Sequence, residues 1–83
     1  MKILIIEDNI LLTDNIKFYL QKHKYSIDCA TDGETGYKKA LVENYDLIIL
    51  DLMLPKMDGA TILQYLRTNN VNVPVLVLSA KTG

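Results

Sequence analysis

Oxygen-bearing side chains stand where the apolar runs of this sequence stop. Glu7 and Asp8 follow Lys2-Ile3-Leu4-Ile5-Ile6, Asp51 follows Leu47-Ile48-Ile49-Leu50, and Ser79 follows Val73-Pro74-Val75-Leu76-Val77-Leu78. If these runs are parallel strands of an open sheet, their carboxyl ends share one edge, the place where such sheets bind ligands. Three carboxylates and a hydroxyl then converge. Unit charges about 4 Å apart repel by roughly 4 kcal/mol at an effective dielectric of 20, so the carboxylates need a counter-charge or a raised pKa. A hard divalent cation meets that need. An all-oxygen set suits magnesium better than zinc, which favours His or Cys, and His23 and Cys29 lie elsewhere in the sequence. A carboxylate beside magnesium either holds the ion or attacks phosphorus to form an aspartyl phosphate. Asp51, at the end of the most apolar strand, is the better nucleophile, while the adjacent Glu7 and Asp8 are better placed to hold the ion. Ser79 is positioned to donate a hydrogen bond to a phosphoryl oxygen on Asp51.

The elements that must position these residues follow from the apolar pattern, which alternates between short continuous runs and helical periodicity, as in an α/β fold around a parallel sheet. Lys2–Ile6 is rich in branched residues at consecutive positions, as a strand buried on both faces requires. Asn9 caps a first helix with Leu12, Ile16, Tyr19 and Leu20 on one face, ending near His23 or Lys24. A weaker strand, Ser26–Ala30, precedes Thr31-Asp32-Gly33 and a second helix with Tyr37, Ala40 and Leu41 inward; Gly36 interrupts its propensity. Asp46–Asp51 is the strongest strand and belongs centrally in the sheet. Asp58-Gly59 opens a third helix with Ile62, Leu63 and Leu66 inward and Asn69-Asn70 as its exit. The last run, Val73–Leu78, carries its proline near the start, where a strand tolerates it. The expected order is β-α-β-α-β-α-β, with each Asp-Gly leading into a helix and not a hairpin.

With 83 residues the chain has room for one small core, expected to be marginal in stability without a staple or a partner. The single cysteine excludes an internal disulfide, and neither a signal peptide nor an apolar run of membrane-spanning length is present, so a cytoplasmic protein without membrane contact is expected. Nine basic against ten acidic side chains, without a basic cluster, argue against direct nucleic-acid binding.

Ile6-Glu7-Asp8-Asn9, the stretch Asp46 to Gly59, and Leu78-Ser79-Ala80-Lys81 together resemble the receiver domain of bacterial two-component response regulators. The Asp51-to-Gly59 stretch is most similar to the subfamily whose output is a winged-helix DNA-binding module. The resemblance covers the whole chain in three separated motifs. It implies an incomplete flavodoxin-like doubly wound sheet of four strands in the order 2-1-3-4 with three helices, lacking the family's fifth strand and last helices. It further implies phosphoryl transfer from a sensor histidine kinase to Asp51, with magnesium held by Glu7, Asp8, Asp51 and the Met53 backbone carbonyl, and with Ser79 as the switch hydroxyl. The family's phosphate-binding lysine is expected to be absent, because Lys81 follows the hydroxyl position and reads as a solvated loop residue. The expectation is a phosphorylation substrate and switch, not a turnover enzyme, in a single receiver segment spanning 1–83 without its output domain. An open strand edge in such a segment invites self-association or exchange of elements.

Rival chemistries fit less well. A magnesium phosphatase with an aspartyl nucleophile would place an acid two residues after it, where Met53 stands, and a nucleotide or flavin carrier would need a glycine-rich loop in place of Glu7-Asp8-Asn9. A fragment that assembles without accepting phosphate is the remaining alternative. Asp58 reads as a helix cap, His23 as a helix-end cation, Cys29 as a small buried apolar residue, and the five scattered tyrosines as core edges.

Overall fold

The computed structural model describes residues 1–54 and 56–78. Its elements run β1 (Lys2–Ile6), α1 (Ile10–Gln21), β2 (Ser26–Ala30), α2 (Gly33–Val42), β3 (Leu47–Asp51), α3 (Gly59–Thr68) and β4 (Val75–Leu78). The strands form one parallel sheet in the order β2-β1-β3-β4, so β1 and β3, with the densest apolar runs, are internal. Strand periodicity then divides the core in two. Leu4, Ile6, Ile48 and Leu50 point to the face covered by Ala40 of α2 and Ile62 and Leu66 of α3. Ile3, Ile5 and Ile49 point the other way, against Ile16 and Leu20 of α1.

The helices start where their caps dictate. Asn9, Asp32 and Asp58 each accept a hydrogen bond from the backbone N–H three residues on, at 3.1, 2.8 and 2.9 Å. Asp58 is therefore a cap, as the sequence indicates. α1 closes at Gln21 and continues as a tight turn in which the His23 and Lys24 amides donate to Leu20 and Gln21, before Lys24 adopts a left-handed φ of 65°. Asn70 makes the matching left-handed exit after α3, with φ 62°.

Several inward assignments are corrected. Leu12 and Tyr19 of α1 are exposed, and the buried line of that helix runs through Thr13 toward Ile16 and Leu20. Leu41 of α2 is also exposed, at 42%. Their spacing matches the helical period, but they sit on the shoulders of the apolar stripe, which a single packed sheet does not cover. β3 and β4 are shorter than the apolar runs suggest. Asp46 precedes β3 and clamps β1 instead, its N–H donating to the Lys2 carbonyl and its Oδ2 accepting from the Lys2 amide, both at 2.7 Å. Val73 and Pro74 lie before β4, although the Pro74 carbonyl still accepts from the Ile48 N–H. Cys29 is only half-buried, on the edge strand β2.

Gly36 marks a close approach and not a weak point. A methyl group there would lie 2.6 Å from Ile6 Cδ1, so the absence of a side chain is what lets α2 settle on β1.

Candidate metal centre

Sheet register assembles the acidic cluster. β1 and β3 pair with Ile5 opposite Ile49 and Ile6 opposite Leu50, so the chain positions that follow place Glu7 beside Asp51 at the carboxyl end of adjacent strands. Glu7 and Asp51 also share the strand parity of Ile5 and Ile49, which puts both on the α1 side of the sheet. The Glu7 N–H still donates to the Ala30 carbonyl of β2, at 3.0 Å, and holds the strand end in the sheet. Asp8 lies one step into the loop. Carboxylate oxygens of Glu7, Asp8 and Asp51 all lie within 4.8 Å of one another.

The three acids are not equivalent. Glu7 and Asp51 are buried, at 5% and 4% exposure, whereas Asp8 is open to solvent. Glu7 Oε2 accepts from the Asn9 N–H at 2.9 Å, and Asp51 Oδ1 accepts from the Met53 N–H at 3.1 Å. Burial pushes the Glu7 carboxyl above its ordinary range; the Asn9 amide works against this, while the neighbouring Asp8 and Asp51 reinforce it. Among the described residues no ammonium or guanidinium forms a salt bridge to the cluster, whose donors are all oxygen. Such a set fits a hard divalent cation.

The loops around the cluster are held by Thr13, Gly59 and Gly33, of which the sequence pattern indicates only Gly59, at the start of the third helix. Thr13, buried in α1, directs its hydroxyl to the Glu7 carbonyl at 3.5 Å, a long contact that ties the helix to the β1 end. Gly59 begins α3 directly over the end of β3: its N–H donates to the Leu52 carbonyl at 3.1 Å, and a methyl group there would lie 2.6 Å from the Asp51 carbonyl oxygen. Gly33, the first residue of α2, faces the loop after β3 in the same way, since a methyl group at Gly33 would overlap the Met57 carbonyl oxygen and lie 2.9 Å from Ile62 Cδ1. Two glycines within four residues of one helix are costly to helix propensity and were the available signal of close packing. Met53 follows Asp51 by two residues and is 62% exposed. Ser79 and Lys81 lie outside the described residues.

The comparisons agree with this architecture. The response regulator receiver domain family matches residues 3–83. The transcriptional regulatory protein QseB of Haemophilus influenzae is 43% identical over 98% of this chain and 37% of its own length. The alkaline phosphatase synthesis transcriptional regulatory protein PhoP of Bacillus subtilis is 40% identical over 96% of this chain and 33% of its own. The chain thus spans about a third of the length of these relatives. Among solved structures, the receiver domain of Francisella response regulator 1452 superposes with a TM-score of 0.93 at 33% identity, covering 99% of this chain and 68% of that one. The response regulator TrrA of Thermotoga maritima, solved in complex with Mg2+ and BeF, gives 0.89 at 32% identity, covering 98% and 70%. Sequence, strand order and cluster position lead to one conclusion: the chain belongs to the receiver domains of two-component response regulators.

Proposed function

We propose that Asp51 accepts a phosphoryl group from the phosphohistidine of a sensor kinase and that Glu7, Asp8, Asp51 and the Met53 backbone carbonyl hold a magnesium ion during the transfer. The observation that carries the reading is the convergence of Glu7, Asp8 and Asp51 within 4.8 Å with Glu7 and Asp51 buried, an arrangement whose repulsion only a cation or a proton relieves. Magnesium, when bound, would neutralise charge on the carboxylates and on the incoming phosphoryl oxygens. Asp51 is fixed through Oδ1 by the Met53 amide, which leaves Oδ2 as the attacking atom. Attack forms the Oδ2–P bond as the P–N bond to the kinase histidine breaks, and the electron pair leaves on the imidazole nitrogen. Glu7 stays locked by the Asn9 N–H, so the site keeps its shape as charge moves through it. Ser79 is the proposed hydroxyl that bonds the new phosphoryl group. In this reading the chain is a substrate and switch. Its similarity to transcriptional regulators, of which it spans about a third, supports an output exerted through a separate DNA-binding segment.

The test is the intact mass of the chain after incubation with acetyl phosphate and magnesium. One added phosphoryl group in the parent and none in Asp51→Asn is the expected result. Folded parent protein that gains nothing would overturn the assignment of Asp51.

A second reading concerns the 83-residue chain by itself. β4 is the outer strand of the described sheet, and its Leu76 and Val77 are 53% and 39% exposed, so its free backbone edge and apolar surface favour pairing with a second copy. Light scattering at high protein concentration tests this, and a uniform monomer would dismiss it.

A further inference from the structure

The N-terminus of α2 lies outside the acidic cluster, yet it packs beneath the loop that leaves Asp51. Among the described residues that loop is tied by the Met53 N–H on Asp51 Oδ1, the Gly59 N–H on the Leu52 carbonyl, and the Asp58 cap of α3. Midway along it Lys56 takes a left-handed φ of 69°, a conformation a residue with a side chain holds only where its surroundings enforce it. Two features of α2 lie against this part of the loop, the second of them an exposed and weak ion pair. The Met57 carbonyl rests in the space a side chain at position 33 would fill, and the Lys56 ammonium lies 4.0 Å from Oδ2 of Asp32, the cap residue of α2. Asp32 is itself held by the Thr35 N–H and hydroxyl, at 2.8 and 3.1 Å.

We infer that Gly33 is a positioning residue for the metal site: by admitting the Met57 backbone, it sets where the described loop residues 56–58 lie and so bears on the placement of the Met53 carbonyl against Glu7, Asp8 and Asp51. The inference rests on the magnesium reading proposed above. A methyl group at position 33 meets backbone, which cannot rotate away as a side chain would, so Met57 must shift. Ligand geometry then degrades while the three carboxylates stay in place on β1 and β3.

The experiment measures Mn2+ binding to the 83-residue chain by electron paramagnetic resonance, with magnesium competition, for the parent, Gly33→Ala and Ile3→Val. Ile3 is buried on the other face of the sheet, in a cluster that includes no described residue of the loop, so its variant loosens the core elsewhere. The expected result is a Kd raised about tenfold in Gly33→Ala, the lower end of what changes behind a ligand shell cost a metal site, and parent-like affinity in Ile3→Val. Parent-like affinity in Gly33→Ala overturns the inference, as does an equal loss in Ile3→Val, which would assign the effect to general stability. A parent that binds no Mn2+ removes the metal reading and this inference with it. If Gly33→Ala does not fold in buffer, the same comparison is made in trimethylamine N-oxide, which favours the buried state. A Gly33→Ala Kd raised about tenfold there supports the inference and a parent-like value overturns it.

Discussion

Replacing Asp51 by Asn should make the metal-free chain more stable, although it destroys the proposed phosphorylation site. The carboxylate oxygens of Glu7, Asp8 and Asp51 lie within 4.8 Å of one another, and two unit charges at that outer limit repel by about 3.5 kcal/mol at an effective dielectric of 20. Not all of this is recoverable. Glu7 relieves part of the repulsion by its raised affinity for a proton, and solvent at the exposed Asp8 screens more, so we expect a net gain of about 1–2 kcal/mol. Asn has the shape of Asp and retains an oxygen for the Met53 N–H, so the substitution removes charge and little else. For a domain of this size each kcal/mol corresponds to about 4–8 °C in the unfolding midpoint. Magnesium should reverse the order. The parent gains about 2.7 kcal/mol at a magnesium concentration one hundred times its Kd, whereas the variant, having lost a ligand charge, gains less. Urea unfolding followed by far-ultraviolet circular dichroism, with and without magnesium, measures both. An Asp51→Asn chain no more stable than the parent without metal would refute the claim that uncompensated charge strains the site.

Three further outcomes follow from the same geometry. Because the Glu7 carboxyl is raised above its ordinary value of 4.5, its stabilising contribution is complete below that pH and is lost as pH rises through the raised value. Asp32 and Asp58 have the opposite sign: their cap bonds hold them below 3.8, so their contribution is present above that pH and is lost as pH falls through the lowered values. The metal-free urea midpoint should therefore peak in mildly acidic solution, and Glu7→Gln should abolish the decline on the neutral side; a decline that persists in that variant would exclude Glu7 as its source. Tyr45→Phe removes the hydroxyl that donates to Asp28 Oδ2 at 2.7 Å and should cost about 1 kcal/mol in urea unfolding, with wild-type stability counting against a role for that bond. Asn9→Ala removes the side-chain cap of α1 and should likewise cost about 1 kcal/mol, while sparing phosphorylation because the Asn9 amide that binds Glu7 belongs to the backbone.

Much of this was legible in the sequence, for identifiable reasons. Lys2–Ile6 and Leu47–Leu50 could be read as internal strands because consecutive branched residues have no other economical burial, and once two parallel strands are granted, their terminal acids must meet. Asn9 and Asp58 announced helix starts through cap chemistry alone. What periodicity does not resolve is the width of a buried stripe, so Leu12, Tyr19 and Leu41 fit the helical period although the sheet reaches only the centre line of each helix. Thr13 escapes a periodicity argument because a hydroxyl-bearing residue in the middle of an apolar line looks like an interruption. The unequal burial of Glu7 and Asp8 is invisible in a dipeptide, since it depends on where β1 stops pairing with β2. The supporting role of Gly33 depends on a contact between segments far apart in the chain, which no local pattern encodes.

The pairing of β1 with β3 also has a kinetic consequence. Its strands are parallel and separated by α1, β2 and α2, so the pairing closes a long loop before it returns any contact energy, the kind of event that slows folding. Glu7 and Asp8 emerge early during synthesis and have no partner until Asp51 has been made and β3 has slotted beside β1. The acidic cluster is thus a property of the paired strands β1 and β3 and of no piece that lacks either. A nascent or partly unfolded chain displays the same acids without their convergence, so phosphoryl acceptance by Asp51 would count natively assembled molecules and leave the others unmarked.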